Sequence, residues 1–387
     1  MTATAIVVTH NSAGQLGESL DALCAAGVAV RVVDNASADG TVALLNRDYP
    51  GVWLAANPVN VGFAAAVNQA LAGLVADVVL LVNPDCVVPA ATVRGLIEHL
   101  RRHPSVGVAG PRLIGSDGEA AMSAHPFETL WSVLASRFGG GLLPVGIRRW
   151  LGGRARRRSY EACLGTHPAQ LEPLQVDWLS GACLAVRGVL LHELGGLDER
   201  YFMYYEDEEL CLHAWHRSYQ VELLPQLWAE HAGGASSGPG TTWPHLYRSM
   251  LIFFGDHRRS SYQLVRAAVI VRALLGMGLA QLRRLVGRPH ALARLGSWRE
   301  VASLALAARQ PPGAEFEPGP AAQAESPAAA SEFEPGPAAP AEGWAAETGP
   351  EQWSALAGST VQLAPEQLDS RPVQLALAAR REVPCEY

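Results

Sequence analysis

The chain has 387 residues, 49% of them hydrophobic and 17% charged, with a formal net charge of −7. That is enough for one large α/β domain with appendages or for two domains, each with a core, and the acidic balance argues against a nucleic-acid binder. The charge is uneven: twelve acids and three arginines follow residue 310, leaving 27 arginines and 25 acids before it, so the acidity belongs to the tail.

The opening residues, MTATAIVVTHNS, have no basic n-region and too short an apolar run for a signal peptide, so they predict a first strand and a cytoplasmic protein. Residues 4–110 then alternate β-branched runs (TAIVVT, VAVRVVDN, VWLAA, DVVLLV, VGVAG) with helical patterns that begin at Ser12, Ala38, near Gly62 and at Pro89. Continuous apolar strands between amphipathic helices indicate a parallel sheet covered on both faces. Right-handed crossovers would place the loops after Thr9, Asp34 and Val82 at one sheet edge, where open α/β sheets bind ligands.

Residues 111–175 look irregular and include the Arg-rich run RRWLGGRARRRSY at 148–160, which reads as a mobile loop. A cation-and-aromatic loop of this kind suits a lipid-linked pyrophosphate or an anionic membrane surface, or simply solvent. A second ordered block spans 176–233. Residues 245–310 look helical, with apolar positions interrupted by Arg266, Arg272, Arg283, Arg284 and Arg288. No uncharged run there approaches the roughly 20 residues that cross a bilayer. An amphipathic hairpin packed on the domain and an interfacial membrane helix fit that pattern equally well. From residue 311 the composition collapses to Ala, Pro, Glu and Gly, with EFEPGPAA at Glu315 and again at Glu332, which predicts disorder. The six cysteines are scattered without a CxxC, which favours a reducing compartment and argues against structural zinc.

Polar residues gather where the strands end. Thr9-His10-Asn11-Ser12 follows the first strand, and Asp34 opens DNASADGT after the second. An acid at such a strand end accepts hydrogen bonds from a ribose or base in other nucleotide folds, and Asp and Asn are equally good turn and cap residues. Asn60-Val61-Gly62 is a polar turn into a helix. Neither GxGxxG nor GxxxxGK[ST] occurs, so a dinucleotide or P-loop site is disfavoured. The fourth strand ends in Asn83-Pro84-Asp85, whose hard oxygens suit Mg²⁺ or Mn²⁺ on a diphosphate, though Asn-Pro-Asp is also an ordinary turn. His231 closes the second block before a Gly-rich stretch, a place for a metal ligand or for a structural histidine. Glu206, Asp207, Glu208 and Glu209 follow the aromatic run FMYY; they either cap a surface helix or include a base in a walled pocket.

Taken in order, THNS, VDNASADGT, NVGFAAAVN, NPD, GPRL, DWLSGACLAVRG, GGLDERYFMYYEDEELCLHAW and the late His231 resemble family 2 glycosyltransferases, most closely their bacterial rhamnosyltransferase-like branch, over about residues 4–250. The resemblance implies an α/β GT-A fold, a nucleotide-diphospho-sugar transferase architecture with a mostly parallel central sheet flanked by helices, here followed by C-terminal helices and a disordered tail. It implies a GT-A domain over 1–240 (donor half 1–110, acceptor half 111–240), amphipathic helices over 241–310 and the acidic tail over 311–387. It also implies inverting transfer of one sugar, since the QxxRW signature of processive synthases is missing.

By the same resemblance, Asp34 contacts the nucleoside while Thr9 and Asn11 line its pocket with Asn60 and Gly62, and Asn83 and Asp85 meet the diphosphate. Asp85 and His231 hold the divalent cation, with Asn83 standing where many members have the first acid of a DxD. Asp207 is the base, Glu206, Trp178, Ser180 and Gly181 border the acceptor, and Glu208 and Glu209 only favour a helix N-terminus. The implied partners are a nucleotide sugar, favoured as dTDP-rhamnose, and a saccharide or lipid-linked acceptor at the inner membrane face. The alternatives are a UDP-hexose donor with another acceptor, or an inactive carbohydrate-binding scaffold, because fold does not fix function.

Overall fold

The computed structural model describes residues 2–137, 172–233, 242–287 and 290–309. All of them belong to one compact unit, Met1–Ser326. The Arg-rich run at 148–160, the Gly-rich stretch after Gly233 and the acidic tail lie outside the described residues.

The first four long strands, β1 (Ala3–Thr9), β2 (Ala29–Asn35), β3 (Trp53–Asn57) and β4 (Val78–Val82), pair in parallel in the order β3-β2-β1-β4. Their connections are helices α1 (Leu16–Ala26), α2 (Thr41–Asp48) and α3 (Phe63–Leu71). The helices begin one to four residues later than their sequence patterns suggest, because Ser12–Gln15 and Asp39–Gly40 are spent in turns that tie neighbouring loops together. Alternate residues of β1 enter opposite cores: Ala5 and Val7 pack with Leu16, Leu20 and Leu23 of α1, while Ile6 and Val8 pack with Ala64 and Val67 of α3. Each fully buried Leu or Val of this kind contributes about 1.5–3 kcal/mol.

Beyond β4 the sheet departs from a simple parallel series. Short β5 (Cys86–Val87) leads to α4 (Ala90–Arg102) and then β6 (Val106–Gly115), yet β6 does not lie beside β4. Between them runs β11 (Cys183–Arg187), antiparallel to both. Every residue of β11 is buried, including Arg187, whose guanidinium donates to backbone carbonyls, so a five-residue buried strand from the second block takes the central position. On the far side β12 (Gln220–His231) pairs in parallel with β6 and slips register between Leu224 and Trp228, opposite Pro111 and Arg112. Pro225 lies within the slip and Pro111 opposite its start, and neither has an N–H to give the ladder.

Residues 111–137 are more ordered than their sequence suggests: they complete β6 and form β7 (Ala120–Ala121), β8 (Ala124–His125) and α5 (Leu130–Arg137). β9 (Leu174–Gln175) pairs with β12, and β10 (Trp178–Leu179) pairs with β8. After β11, α6 (Gly188–Leu194) and α7 (Glu206–His216) cover one sheet face. The C-terminal helices number three among the described residues, not a hairpin: α8 (Trp243–His257), α9 (Arg259–Leu285) and α10 (Ala291–Ala307). They share a third core with Tyr201, Tyr205 and Val133. By length and composition α9 could cross a membrane, with a mean hydropathy of 1.6 over its most apolar window, of which 33% is buried.

Gly188, at the β11–α6 junction, donates its N–H to Asp77 O at 2.8 Å. A Cβ there would stand 1.9 Å from the Ala76 carbonyl oxygen, and backbone on both sides cannot yield cheaply. Gly188→Ala is expected to destabilise the domain by about 1–3 kcal/mol through overpacking. An unchanged urea midpoint with an unchanged m-value would show that the junction tolerates the methyl group.

Candidate functional site

The strand-end loops form a hydrogen-bonded shelf. Thr9 Oγ1 donates to Asp34 Oδ1 at 2.9 Å and the Ser37 N–H donates to Asp34 Oδ2 at 2.9 Å. Asp34 is only 1% exposed, so it braces the two loops against each other. An ionised carboxylate has about four acceptor positions, so capacity remains for a further donor. Exposed Asn11 has a positive φ of 53°, which directs its side chain to accept the Ala38 N–H at 2.8 Å while its own N–H meets Ser37 Oγ. Asn60 Oδ1 accepts the Gly62 N–H, and Asn35 Nδ2 donates to the Gly62 carbonyl, both at 3.0 Å. Gly62 has φ +91° and lies against Phe202, whose carbonyl accepts the Phe63 N–H at 2.7 Å. That bond carries the shelf across to the segment preceding α7.

At the end of β4 the Asn83 N–H donates to Ala182 O at 3.0 Å. Asp85 Oδ1 lies 3.3 Å from His231 Nε2, and both side chains are largely buried. Burial works against ionisation of Asp85, but the hydrogen bond and charge of His231 outweigh it and hold the carboxyl below its usual pKa. An ionised carboxylate oxygen facing an imidazole nitrogen is a donor pair suited to a divalent cation of the Mn²⁺ type.

On the opposite wall, Asp207 Oδ2 accepts the Gly181 N–H and Oδ1 accepts the Glu208 N–H, each at 2.9 Å. Trp178 stacks on His125 with centroids 4.4 Å apart and donates its Nε1–H to Pro126 O, while the Ser180 N–H reaches Ser123 O. Thr9, Asn11, Asp34, Asn60 and Gly62 therefore form one group, and Asn83, Asp85 and His231 a second. Trp178, Ser180, Gly181, Glu206 and Asp207 form a third, joined to the second through residues 181 and 182.

The four acids of α7 have different environments. Burial pushes Asp207 upward against the lowering effect of its two N–H donors. Glu206 is pushed to about 8 by burial and then by the charge of Asp207, and its buried Oε2 has no hydrogen-bond partner. Of the two adjoining acids, Asp207 has two N–H donors that favour its charged form, whereas the charge of Glu206 is disfavoured by burial with one oxygen unpartnered. Glu208 and Glu209 are not surface charges at a helix end: they are 1% and 4% exposed. Glu208 accepts the Glu128 N–H at 2.7 Å, and burial, then the charges of Glu128 and Asp207, raise it to about 9 although that N–H opposes them. Glu209 bonds His213, His257 and Tyr201; these imidazoles outweigh burial and hold it at about 2.

Several members of the site were not singled out in the sequence. Glu128 accepts the Tyr205 hydroxyl as well as presenting its N–H to Glu208. His125 and His257 are brought in by long-range contacts and carry no local signal, whereas the i, i+4 spacing of Glu209 and His213 is legible. Tyr204 and Tyr205 both have positive φ, 68° and 72°. Two consecutive bulky residues there are strained, as at many functional sites.

The sequence matches the model of "Glycosyl transferase family 2" over residues 4–162. The chain is 30% identical over 269 residues to an N-acetylglucosaminyl-diphospho-decaprenol L-rhamnosyltransferase of Mycobacterium tuberculosis strain H37Rv, covering 65% of this chain and 83% of that protein. Similar solved structures include GalNAc-T7 with UDP, GalNAc and Mn²⁺, at TM-score 0.46 and 15% identity over 68% of this chain and 49% of the other. The mannosyltransferase PcManGT of Pyrobaculum calidifontis, with GDP-Man and Mn²⁺, gives TM-score 0.43 and 16% identity over 79% and 86%.

The raised pKa of Glu208 has a stability consequence. Its folded value of about 9 lies above the unfolded value, so its contribution is full below about pH 4.5 and is lost as pH rises through 9. The limiting slope is about 1.4 kcal/mol per pH unit. Glu208→Gln keeps an acceptor for the Glu128 N–H without this loss, so its melting temperature relative to wild type should climb between pH 5 and pH 8. A difference that stays flat across that range would contradict the buried, protonated Glu208.

Proposed function

Because this chain belongs to glycosyltransferase family 2, and is therefore a nucleotide-sugar-dependent glycosyltransferase of GT-A fold, we propose that it transfers a single rhamnose, with inversion, from dTDP-rhamnose to the sugar of a lipid-linked N-acetylglucosaminyl diphosphate. The activity for which the mycobacterial relative is named supports this donor sugar and acceptor. The observation that carries the chemistry is the position of Asp207, held by Gly181 beside Ala182, which in turn grips the Asn83 turn.

In this reading residues 1–110 serve the donor and 111–240 the acceptor. Thr9, Asn11, Asp34, Asn60 and Gly62 shape the nucleoside pocket, and Trp178, Ser180 and Glu206 border the acceptor. Asp207 accepts the proton of the acceptor hydroxyl as that oxygen attacks the anomeric carbon from the side opposite the departing nucleoside diphosphate. A carboxylate within about 3 Å of that hydroxyl contributes on the order of 10²- to 10⁴-fold. Protonated Glu206 leaves Asp207 free to act, and the negative charge of Asp207 favours an oxocarbenium-like transition state. Asn83, Asp85 and His231 face the diphosphate. Asp85 and His231 would hold Mg²⁺ or Mn²⁺, which supplies charge neutralisation to the leaving diphosphate.

A lipid-linked acceptor places the enzyme at the cytoplasmic face of the membrane, and α9 and α10 supply a surface for it. Leu264, Val271, Leu275, Leu279 and Leu282 are all exposed, at helical spacing on one stripe of α9. Between residues 258 and 299 the sequence has nine arginines and no Asp or Glu. An apolar stripe among cations and without acids matches an anionic bilayer interface.

Turnover of dTDP-rhamnose on an N-acetylglucosaminyl-diphospho-polyprenol is the expected activity. Asp207→Asn should reduce kcat/KM by at least about 10²-fold while leaving the thermal shift with dTDP intact, and Asp85→Ala should abolish the metal-dependent part of that shift. Turnover with UDP-hexoses alone would replace the donor, and binding without turnover of any donor would favour a scaffold. For the surface, the protein should float with vesicles containing phosphatidylglycerol but not with pure phosphatidylcholine. Leu275→Asp with Leu282→Asp should abolish flotation while leaving folding intact, and flotation unaffected by that pair would move the contact elsewhere.

A further inference from the structure

Behind the catalytic helix is a second constellation that the transfer reaction does not use. Glu209 and His213 lie one turn apart on α7, and His257 ends α8. Glu209 Oε1 is 2.9 Å from His213 Nε2, Oε2 is 2.7 Å from His257 Nε2, and the Tyr201 hydroxyl donates to Oε2 at 3.1 Å. The three possible ligand atoms all lie within 4.8 Å of one another. Both imidazoles present Nε2, one of the two ring nitrogens that bind metals, and the carboxylate offers one oxygen toward each ring.

We propose that Glu209, His213 and His257 form a zinc site, with water completing the coordination, that staples the catalytic helix α7 to α8. Two imidazoles and a carboxylate, with water in the fourth position, are a donor set that binds Zn²⁺ in tetrahedral geometry. Two observations beyond the triad support it. A cavity of about 10 Å³, room for one water, is lined by Glu209 and His213 and also by Glu206 and Asp198. Glu206, on that wall, has a buried carboxyl oxygen without a hydrogen-bond partner, an acceptor for a water held at the fourth position. The surroundings are also rich in acid: Asp198 and Asp256 share the single Arg200 guanidinium, and Asp256 Oδ1 has no partner.

Without an ion the triad closes on itself through hydrogen bonds. Two ligand atoms each about 2.0 Å from a tetrahedral ion stand about 3.3 Å apart, so capture requires the carboxylate–imidazole separations of 2.9 and 2.7 Å to grow by roughly half an ångström and the two Nε2 atoms to give up their protons. The scattered cysteines argue against structural zinc held by thiolates, but this donor set contains no sulfur. Asp85 and His231 belong to different elements, at the ends of β4 and β12, so the two sites can be emptied separately.

The test uses the full chain with a tag that contains no histidine run, purified without chelator and passed through gel filtration. Elemental analysis should find about one zinc per chain in wild type and in Asp85→Ala, and little in His213→Gln or His257→Gln. Chelator treatment should lower the melting temperature of wild type, and ZnCl₂ should restore it by mass action. Cobalt replacement should give the intense visible bands of a tetrahedral site, a readout that needs only wild-type protein if the variants fail to fold. Substoichiometric zinc together with no thermal response to ZnCl₂, or zinc content unchanged in the histidine variants, would overturn the proposal.

Discussion

The antiparallel strand β11 carries the constraint on which the rest of the site depends. By entering between β4 and β6 it sets Ala182 against the turn that ends β4, where the Asn83 N–H meets its carbonyl. One residue earlier, Gly181 gives its N–H to Asp207. A short backbone segment thus fixes Asp207, the proposed base, relative to the Asn83-Pro84-Asp85 turn that ends β4. No side chain is needed at 181, where a Cβ would make only ordinary van der Waals contact with Asp207, its nearest atoms 3.4 Å away. Backbone donors are well suited to this task because they belong to the sheet and cost no side-chain ordering when substrate arrives.

The four consecutive acids of α7 show how environment assigns roles to like groups. Their sequence spacing distributes them around the helix, so each meets a different neighbourhood. Asp207 meets two N–H donors, Glu208 meets one N–H and the charge of Glu128, Glu209 meets two imidazoles and a phenol, and Glu206 meets none for one of its oxygens. Desolvation raises all four alike, and the partners decide which stay ionised. Asp207 and Glu209 are the two with at least two strong donors each, and they are the two best placed to keep negative charge at neutral pH.

How much of this was legible in the sequence follows from the range of the interactions. The parallel half could be read because β1 to β4 are continuous apolar runs joined by amphipathic helices, a pattern complete within about 80 residues. The polar strand ends could be read for the same reason: Thr9, Asp34 and Asp85 each follow a buried run directly. The place of β11 could not, since CLAVR carries nothing that says it will come between strands of the first block. The fates of Glu208 and Glu209 were hidden likewise, because Glu128 and His257 approach from 80 and 48 residues away. A run of charge reads as a solvated face unless its distant partners are known.

The C-terminal helices are coupled to the segment that precedes α7 by packing. Tyr201 and Tyr205, on either side of the aromatic run that precedes α7, are buried in the core formed by α8, α9 and α10. Tyr204 and Tyr205 have positive φ, a conformation costing of order 1–3 kcal/mol each that persists only where surroundings enforce it. The Ser249 hydroxyl of α8 donates to the Met203 carbonyl, and the Tyr205 ring packs against Phe253 of the same helix. The C-terminal helices, which expose the apolar, arginine-rich face, therefore also hold the strained turn that precedes Asp207. α8 thus packs against the turn on one side of Asp207, while Gly181 and the sheet hold Asp207 from the other.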